Sequence, residues 1–290
     1  MAQRSSRSGS NSRQPELAYF NEQFLKTSEA RTIRILSEYL EPQVKLRKAG
    51  VQNTVVFFGS ARILPREVAV DRLRRMEEEA ESKSDSHTSA EIEVAHMGVD
   101  MSRYYEDARE LARMITDWSL RLNRGSGFLV VCSGGGPGIM EAANRGASEA
   151  GGKSVGLNIL LPFEQQPNPY VTPELSFLFH YFFMRKLWFA QPAKALIVFP
   201  GGFGTMDELC EFLTLVQTGK MGHRAAILLY GSEFWKRAIN FDWLAQSGTI
   251  NPEDLKLIEY VDTPPDAFEA LRKRLSRDRT LRPALRRRFF

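Results

Sequence analysis

Ten consecutive residues, Phe199-Pro200-Gly201-Gly202-Phe203-Gly204-Thr205-Met206-Asp207-Glu208, combine three glycines, a hydroxyl and two carboxylates directly after an apolar run at 195–199. Glycines at 201, 202 and 204 allow positive φ and a close approach of backbone to a ligand. A helix beginning at Thr205 would add unpaired N–H groups and the positive end of its dipole. This chemistry suits an anionic group such as a phosphate, so Gly201, Gly202, Gly204 and Thr205 are candidate binding residues. Thr205 and Glu208 also have the spacing of a capping box, in which two side chains only close a helix start. On the residues alone, both readings of Glu208 stay open.

A second loop of the same kind, Gly134-Gly135-Gly136-Pro137-Gly138-Ile139-Met140, follows the apolar run 128–132. Gly134, Gly135, Gly136 and Met140 are its candidates. A turn at 59–62 leaves the run Thr-Val-Val-Phe-Phe at 54–58 and forms a third candidate wall, adding Ser60 and Arg62. Asn158, near the end of the run 154–159, is a further candidate. In open α/β sheets, ligands bind outside the carboxyl ends of strands, where such loops converge. Arg185 and Lys186 sit inside the aromatic segment 181–189. Long basic side chains snorkel from exposed faces, yet a position just before the strand feeding the Pro200 loop equally suits a ligand-facing role.

Two other motifs fail on inspection. Neither glycine loop satisfies G-x-G-x-x-G, because Ile139 and Asp207 hold the third-glycine positions, so a dinucleotide is not indicated. Residues 147–154 end like a phosphate-binding P-loop, but Ala147 replaces its first glycine and the segment lies between helix and strand, as a turn does.

The elements that must position these residues follow from periodicity. Short apolar runs at 54–58, 128–132, 154–159, 175–179, 195–199, 225–230 and 258–261 read as strands. Helical patterns lie at 28–48, 104–122, 139–150, 234–245 and 265–275, with Pro42 expected to end or kink the first. Alternation of this kind predicts a doubly wound, mainly parallel sheet flanked by helices, with an N-terminal helical extension at 16–50. Charge and Ser dominate 66–93, which reads as a mobile excursion, and the proline-rich segment 161–169 reads as a loop over the sheet.

At 290 residues and 43% hydrophobic content, the chain can bury a substantial core. Its net charge of +4 conceals an uneven distribution. Residues 1–15 carry three Arg and no acid, and 272–290 carry nine Lys/Arg against Asp278, so the body between them carries −7. The tails, 1–15 and 276–290, are expected to be solvated, and the acidic body argues against a specific nucleic-acid face. Cys132 and Cys210 read as small core residues and fit a reducing compartment. The four His residues lack ligand spacing, so no metal is expected. The first 15 residues lack the apolar core of a secretory signal and no stretch suits a membrane span, so a soluble cytoplasmic protein is expected.

The Pro200 to Glu208 motif, taken together with Met184-Arg185-Lys186 and Gly134 to Met140, resembles the LONELY GUY (LOG) family. These are the cytokinin riboside 5′-monophosphate phosphoribohydrolases, once mislabelled lysine decarboxylases. The similarity spans roughly residues 50–265, and the longer amino-terminal part and proline-rich loop resemble the family's larger bacterial branch. The resemblance implies a Rossmann-like domain over 51–275, homodimers or higher oligomers, no cofactor, and hydrolysis of the N-glycosidic bond of a purine nucleoside 5′-monophosphate. It further implies that Arg185 and Glu208 are the catalytic pair, and that the Pro200 to Thr205 loop, with Lys186 nearby, holds the phosphate. A non-catalytic carrier of a nucleotide or of molybdenum cofactor is the alternative that similar glycine loops permit. A pyridoxal phosphate decarboxylase would need a Schiff-base Lys, which no feature singles out.

Overall fold

Seven short segments form one sheet whose inner strands are buried on both faces, as parallel strands covered by helices must be, while the two edge strands are buried only in part. The computed structural model describes residues 16–82, 88–122, 129–162, 166–221 and 225–276. In chain order these contain α1 (Glu22–Leu25), α2 (Arg31–Lys48), β1 (Thr54–Phe58), α3 (Arg66–Ser82), α4 (Ser89–Met101) and α5 (Arg103–Leu122). Then follow β2 (Val130–Ser133), α6 (Ile139–Glu149), β3 (Ser154–Ile159), β4 (Ser176–Phe179), α7 (Phe182–Ala190) and β5 (Ala193–Val198). The last elements are α8 (Phe203–Gln217), β6 (Ala226–Tyr230), α9 (Ser232–Ala238), α10 (Phe241–Gln246), β7 (Ile258–Val261) and α11 (Pro264–Ser276).

The strand order is β4-β3-β2-β1-β5-β6-β7, with every neighbouring pair parallel. The chain therefore builds outward from β1 in one direction, returns to pair β5 on the other side of β1, and builds outward again. The order reverses between β1 and β5, which is where a doubly wound sheet opens a crevice at its carboxyl edge. Period-2 alternation divides the core. Val55, Phe57, Ile197 and Leu228 join one apolar cluster with α5, α6 and α11, while Val56, Phe58, Leu196 and Leu229 join a second with α7 and α8. Phe199, at the mouth of the crevice, stacks between Phe57 (centroids 6.1 Å apart) and Tyr230 (4.4 Å).

The expected elements are present with informative differences. Helix α2 runs unbroken through Pro42, which is buried, because the carbonyl that Pro42 leaves unbonded, that of Glu38, accepts Trp188 Nε1–H at 3.1 Å. The helix expected at 234–245 is two helices, since Asn240 caps α10 by accepting the Trp243 N–H at 2.9 Å. Within the charge-rich 66–93 segment, α3 and the start of α4 are helical, and 83–87 lie outside the described residues. Cys132 is buried as expected, whereas Cys210 is exposed on α8. The tail at 1–15, and all of the carboxyl-terminal tail beyond Ser276, also lie outside the described residues. Among the described residues, no helix is long and apolar enough to cross a membrane.

Removing the stacked Phe199 ring tests this packing. Phe199→Ala should cost about 3–5 kcal/mol in urea unfolding, while Phe199→Leu costs less because it refills most of the volume.

Candidate active site

The Pro200 loop and the start of α8 form the first wall. Helix α8 begins at Phe203, two residues earlier than the sequence suggested, with Gly202 as N-cap and no side-chain cap hydrogen bond. Thr205 and Glu208 are thus inside the helix, and the capping-box reading of this pair is excluded. Gly201, Gly202 and Gly204 are also absent from the positive-φ residues, so the expected left-handed backbone is not their role. Gly201 instead makes room: a Cβ there would lie 2.1 Å from Thr205 Oγ1. At Gly202 and Gly204 a Cβ would meet nothing within 4 Å, so no neighbouring atom crowds the helix start there.

The second loop does use the left-handed region, at Gly135 (φ 73°) and Gly138 (φ 69°). A Cβ on Gly138 would come within 2.4 Å of the Ser60 carbonyl, so the loop can pack there only as glycine. Ser60 ties the walls together, its N–H donating to Pro200 O (2.9 Å) and its carbonyl accepting from Ile139 N–H (3.2 Å). A buried polar network that sequence reasoning missed fixes Gly135 and Gly136. Ser133 Oγ accepts the Gly135 N–H (3.0 Å) and donates to Asn144 Oδ1 (2.7 Å). Asn168 Nδ2–H donates to Gly136 O (3.0 Å) and to Asn144 Oδ1 (2.9 Å).

Arg185 enters from α7. Its Nε–H donates to Leu157 O at 2.7 Å, its guanidinium lies 5.1 Å over the Phe189 ring, and a Cβ on Gly134 would lie 2.6 Å from both Arg185 Nη2 and Met140 Sδ. Gly134 is therefore the space Arg185 occupies. A Cβ on Gly135 would similarly meet Asn158 Nδ2 at 2.6 Å, while Nδ2–H donates to Phe177 O at 3.2 Å. The ammonium of Lys186 is bound to Asp207 (2.8 Å) and Glu211 (2.6 Å) on α8. Burial works against its charge, but these partners more than offset it and raise its pKa. Lys186 thus braces α7 against α8.

Glu208 is 3% exposed, and its Oε2 is buried without a hydrogen-bond partner. Burial pushes its carboxyl up to about 7, against the pull of Lys186 and Arg185 toward ionisation. Burial likewise lowers the Arg185 pKa, and Glu208 opposes that shift. The structure therefore brings Arg185, Glu208, Lys186, Gly134, Gly135, Met140 and Asn158 together. Arg62 is exposed and lies apart from this group. It lines a cavity of about 450 Å³ with Ser60, Ile63, Met97, Gly201 and Phe234, to which neither Arg185 nor Glu208 contributes.

Fold and site together define a doubly wound, Rossmann-like protein with a glycine-rich helix start near a buried carboxylate and a half-buried guanidinium. Residues 140–271 match the family model described as "Possible lysine decarboxylase". The chain is 30% identical over 158 residues to a probable cytokinin riboside 5′-monophosphate phosphoribohydrolase, LOGL5, of Oryza sativa subsp. japonica, covering 49% of this chain and 63% of that protein. It is 31% identical over 88 residues to LOGL3 of the same organism, covering 30% of this chain and 41% of that protein. The chain thus spans less than two thirds of either relative's length. The resemblance to the LOG family seen in the motifs is borne out by these matches. Among solved structures, the molybdenum cofactor carrier protein of Chlamydomonas reinhardtii aligns with 78% of this chain and 99% of its own at TM-score 0.46 and 17% identity. The molybdenum cofactor binding protein of Rippkaea orientalis aligns with 76% and 94% at TM-score 0.44 and 15% identity. Likenesses this distant carry no argument about ligand or activity.

A carboxyl whose folded pKa is raised makes the native state less stable as pH climbs from the ordinary value of 4.5 through about 7. Glu208→Gln should therefore match the wild type in stability at pH 4 and exceed it at pH 8, by on the order of 3 kcal/mol. Urea melts at the two pH values measure this.

Proposed function

We propose that this protein hydrolyses the N-glycosidic bond of a purine nucleoside 5′-monophosphate, AMP or an N6-modified AMP, to free base and ribose 5-phosphate. The observation that carries the reading is Glu208: a buried carboxylate with an unpartnered oxygen, coupled to Arg185 and directly behind a phosphate cradle. A carboxylate with a purely structural role would have its acceptors filled. The names of the two rice relatives supply the substrate class.

In the reaction the C1′–N bond breaks with its electron pair leaving on the base, which takes up a proton. Water adds to C1′ and gives up a proton. Positive charge builds on the sugar during departure, and an ionised Glu208 stabilises it from a site where little water screens the interaction. Arg185 keeps its charge at any working pH and orients the leaving base or the phosphate. The backbone of Gly201 to Thr205 holds the phosphate, so binding and chemistry rest on different groups. A carrier would need the cradle but not this charged pair.

Incubation with AMP and with isopentenyl-AMP, followed by chromatography for free base, tests the activity. Bound nucleotide without released base would overturn the hydrolase reading in favour of a carrier. Glu208→Gln should lower turnover at least about a hundredfold, roughly 2.7 kcal/mol of barrier, while nucleotide affinity survives. Because the ionised carboxylate is required, kcat/KM should fall as pH drops through about 7 rather than through 4.5.

Assembly belongs to the same proposal. Ile33, Leu36 and Leu40 on α2 and Phe182 and Phe183 on α7 are all exposed, and Phe203 is 93% exposed within the cradle itself. Apolar surface of this extent beside a site suits a symmetric homo-oligomer. Light scattering at micromolar concentration should give at least twice the 33.0 kDa chain mass, and a monomer would refute it.

A further inference from the structure

Helix α7 carries both Arg185 and Lys186, yet its own N-cap residue, Tyr181, makes no side-chain cap hydrogen bond. The acceptors come from a segment 140 or more residues away in sequence. Glu38, in the middle of α2, accepts the His180 N–H on Oε1 at 2.8 Å and the Tyr181 N–H on Oε2 at 3.2 Å. An anionic side chain at this place also complements the positive end of the α7 dipole. The backbone carbonyl of the same residue accepts Trp188 Nε1–H at 3.1 Å. That carbonyl is free to do so because the residue four positions on is Pro42, which has no N–H.

Glu38 thus holds α7 on both sides of Arg185, before it at His180 and Tyr181 and after it at Trp188. Its neighbours on α2 reinforce the docking. Arg31 lies 5.6 Å over the Tyr181 ring, and Tyr39 packs against Trp188 with ring centroids 5.9 Å apart. We infer that Glu38 is a positioning residue for Arg185 and Glu208, fixing the register of α7 so that the charge of the guanidinium acts on the buried carboxylate. The segment read as an appended helical extension is then part of the site's framework. The inference depends on the hydrolase reading for its kinetic readout only; the geometry stands without it.

The charged groups that act on Glu208 are Lys186 and Arg185 from α7, and Glu211 and Asp207 from its own helix. Loosening α7 withdraws the two cations and leaves the two acids in place. The titration midpoint of Glu208 therefore reports the position of α7, and it can be followed without substrate by carbon-13 NMR of glutamate-labelled protein, assigned with Glu208→Gln.

In Glu38→Ala the Glu208 midpoint should move upward from that of the wild type. Base release from AMP should lose about tenfold or more in kcat, with KM changed less than about threefold. Glu38→Gln keeps one acceptor oxygen and should fall between the two in both measurements. If Glu38→Ala does not fold, Glu38→Gln gives the same readouts. An unmoved midpoint overturns the inference, whatever happens to the melting temperature, because a cap that only stabilises α7 would lower Tm and leave Glu208 unchanged. Failure of the wild type to release base would sink the hydrolase reading alone, since the midpoint still decides the role of Glu38.

Discussion

A carboxylate placed out of water beside a partly buried guanidinium is a costly arrangement, and much of this structure exists to maintain it. Left to itself, Glu208 would either protonate or draw water inward. The two cations of α7 hold it near the balance between charged and neutral forms. They can do so only because α7 is held on several sides: at its start by Glu38, along its length by the Leu157 carbonyl, and across to α8 by the Lys186 bridge. The sheet beneath supplies rigidity, since both of its faces are closely packed and the helices cannot slide without opening voids.

The two glycine loops solve different problems, although they look alike as strings of letters. At Gly135 and Gly138 the backbone enters conformations that side chains resist, and the loop folds back tightly against Ser60 and Asn158. At Gly201 the absent side chain admits Thr205, and at Gly202 and Gly204 it leaves open space above a helix start. The loop at Gly134 to Gly138 is thus shaped by the protein's own packing, whereas the Pro200 loop is left open above its helix.

The strands were legible because burial on both faces demands unbroken apolar runs, and a run such as Val55 to Phe58 has no other economical use. The glycine loops were legible through their place after such runs. What escaped were features that depend on partners distant in sequence. Lys186 could not be seen as a brace until Asp207 and Glu211 were beside it, and Pro42 could not be seen as harmless until Trp188 took up the stranded carbonyl. The start of α8 was misplaced because Thr205 is a good cap by type, whereas the chain uses Gly202, whose lack of a side chain keeps the approach open. Ser133, Asn144 and Asn168 carry no spacing signal, and only their burial identifies them as a unit.

The pairing of β1 with β5 also bears on how the chain comes to be made. Phe58 lies opposite Val198, 140 residues later. The strands β1 to β4 can assemble in order as they emerge, but the crevice has no second wall until β5 inserts on the free edge of β1. During synthesis that edge waits unpaired while nearly half of the polypeptide is produced, exposed to any strand able to add to it. The Pro200 loop, which follows β5, is the last of the three walls to be translated. The long interval between the two strands makes the maturation of this site a race between correct insertion and misassembly, one set by topology rather than by any residue within the site.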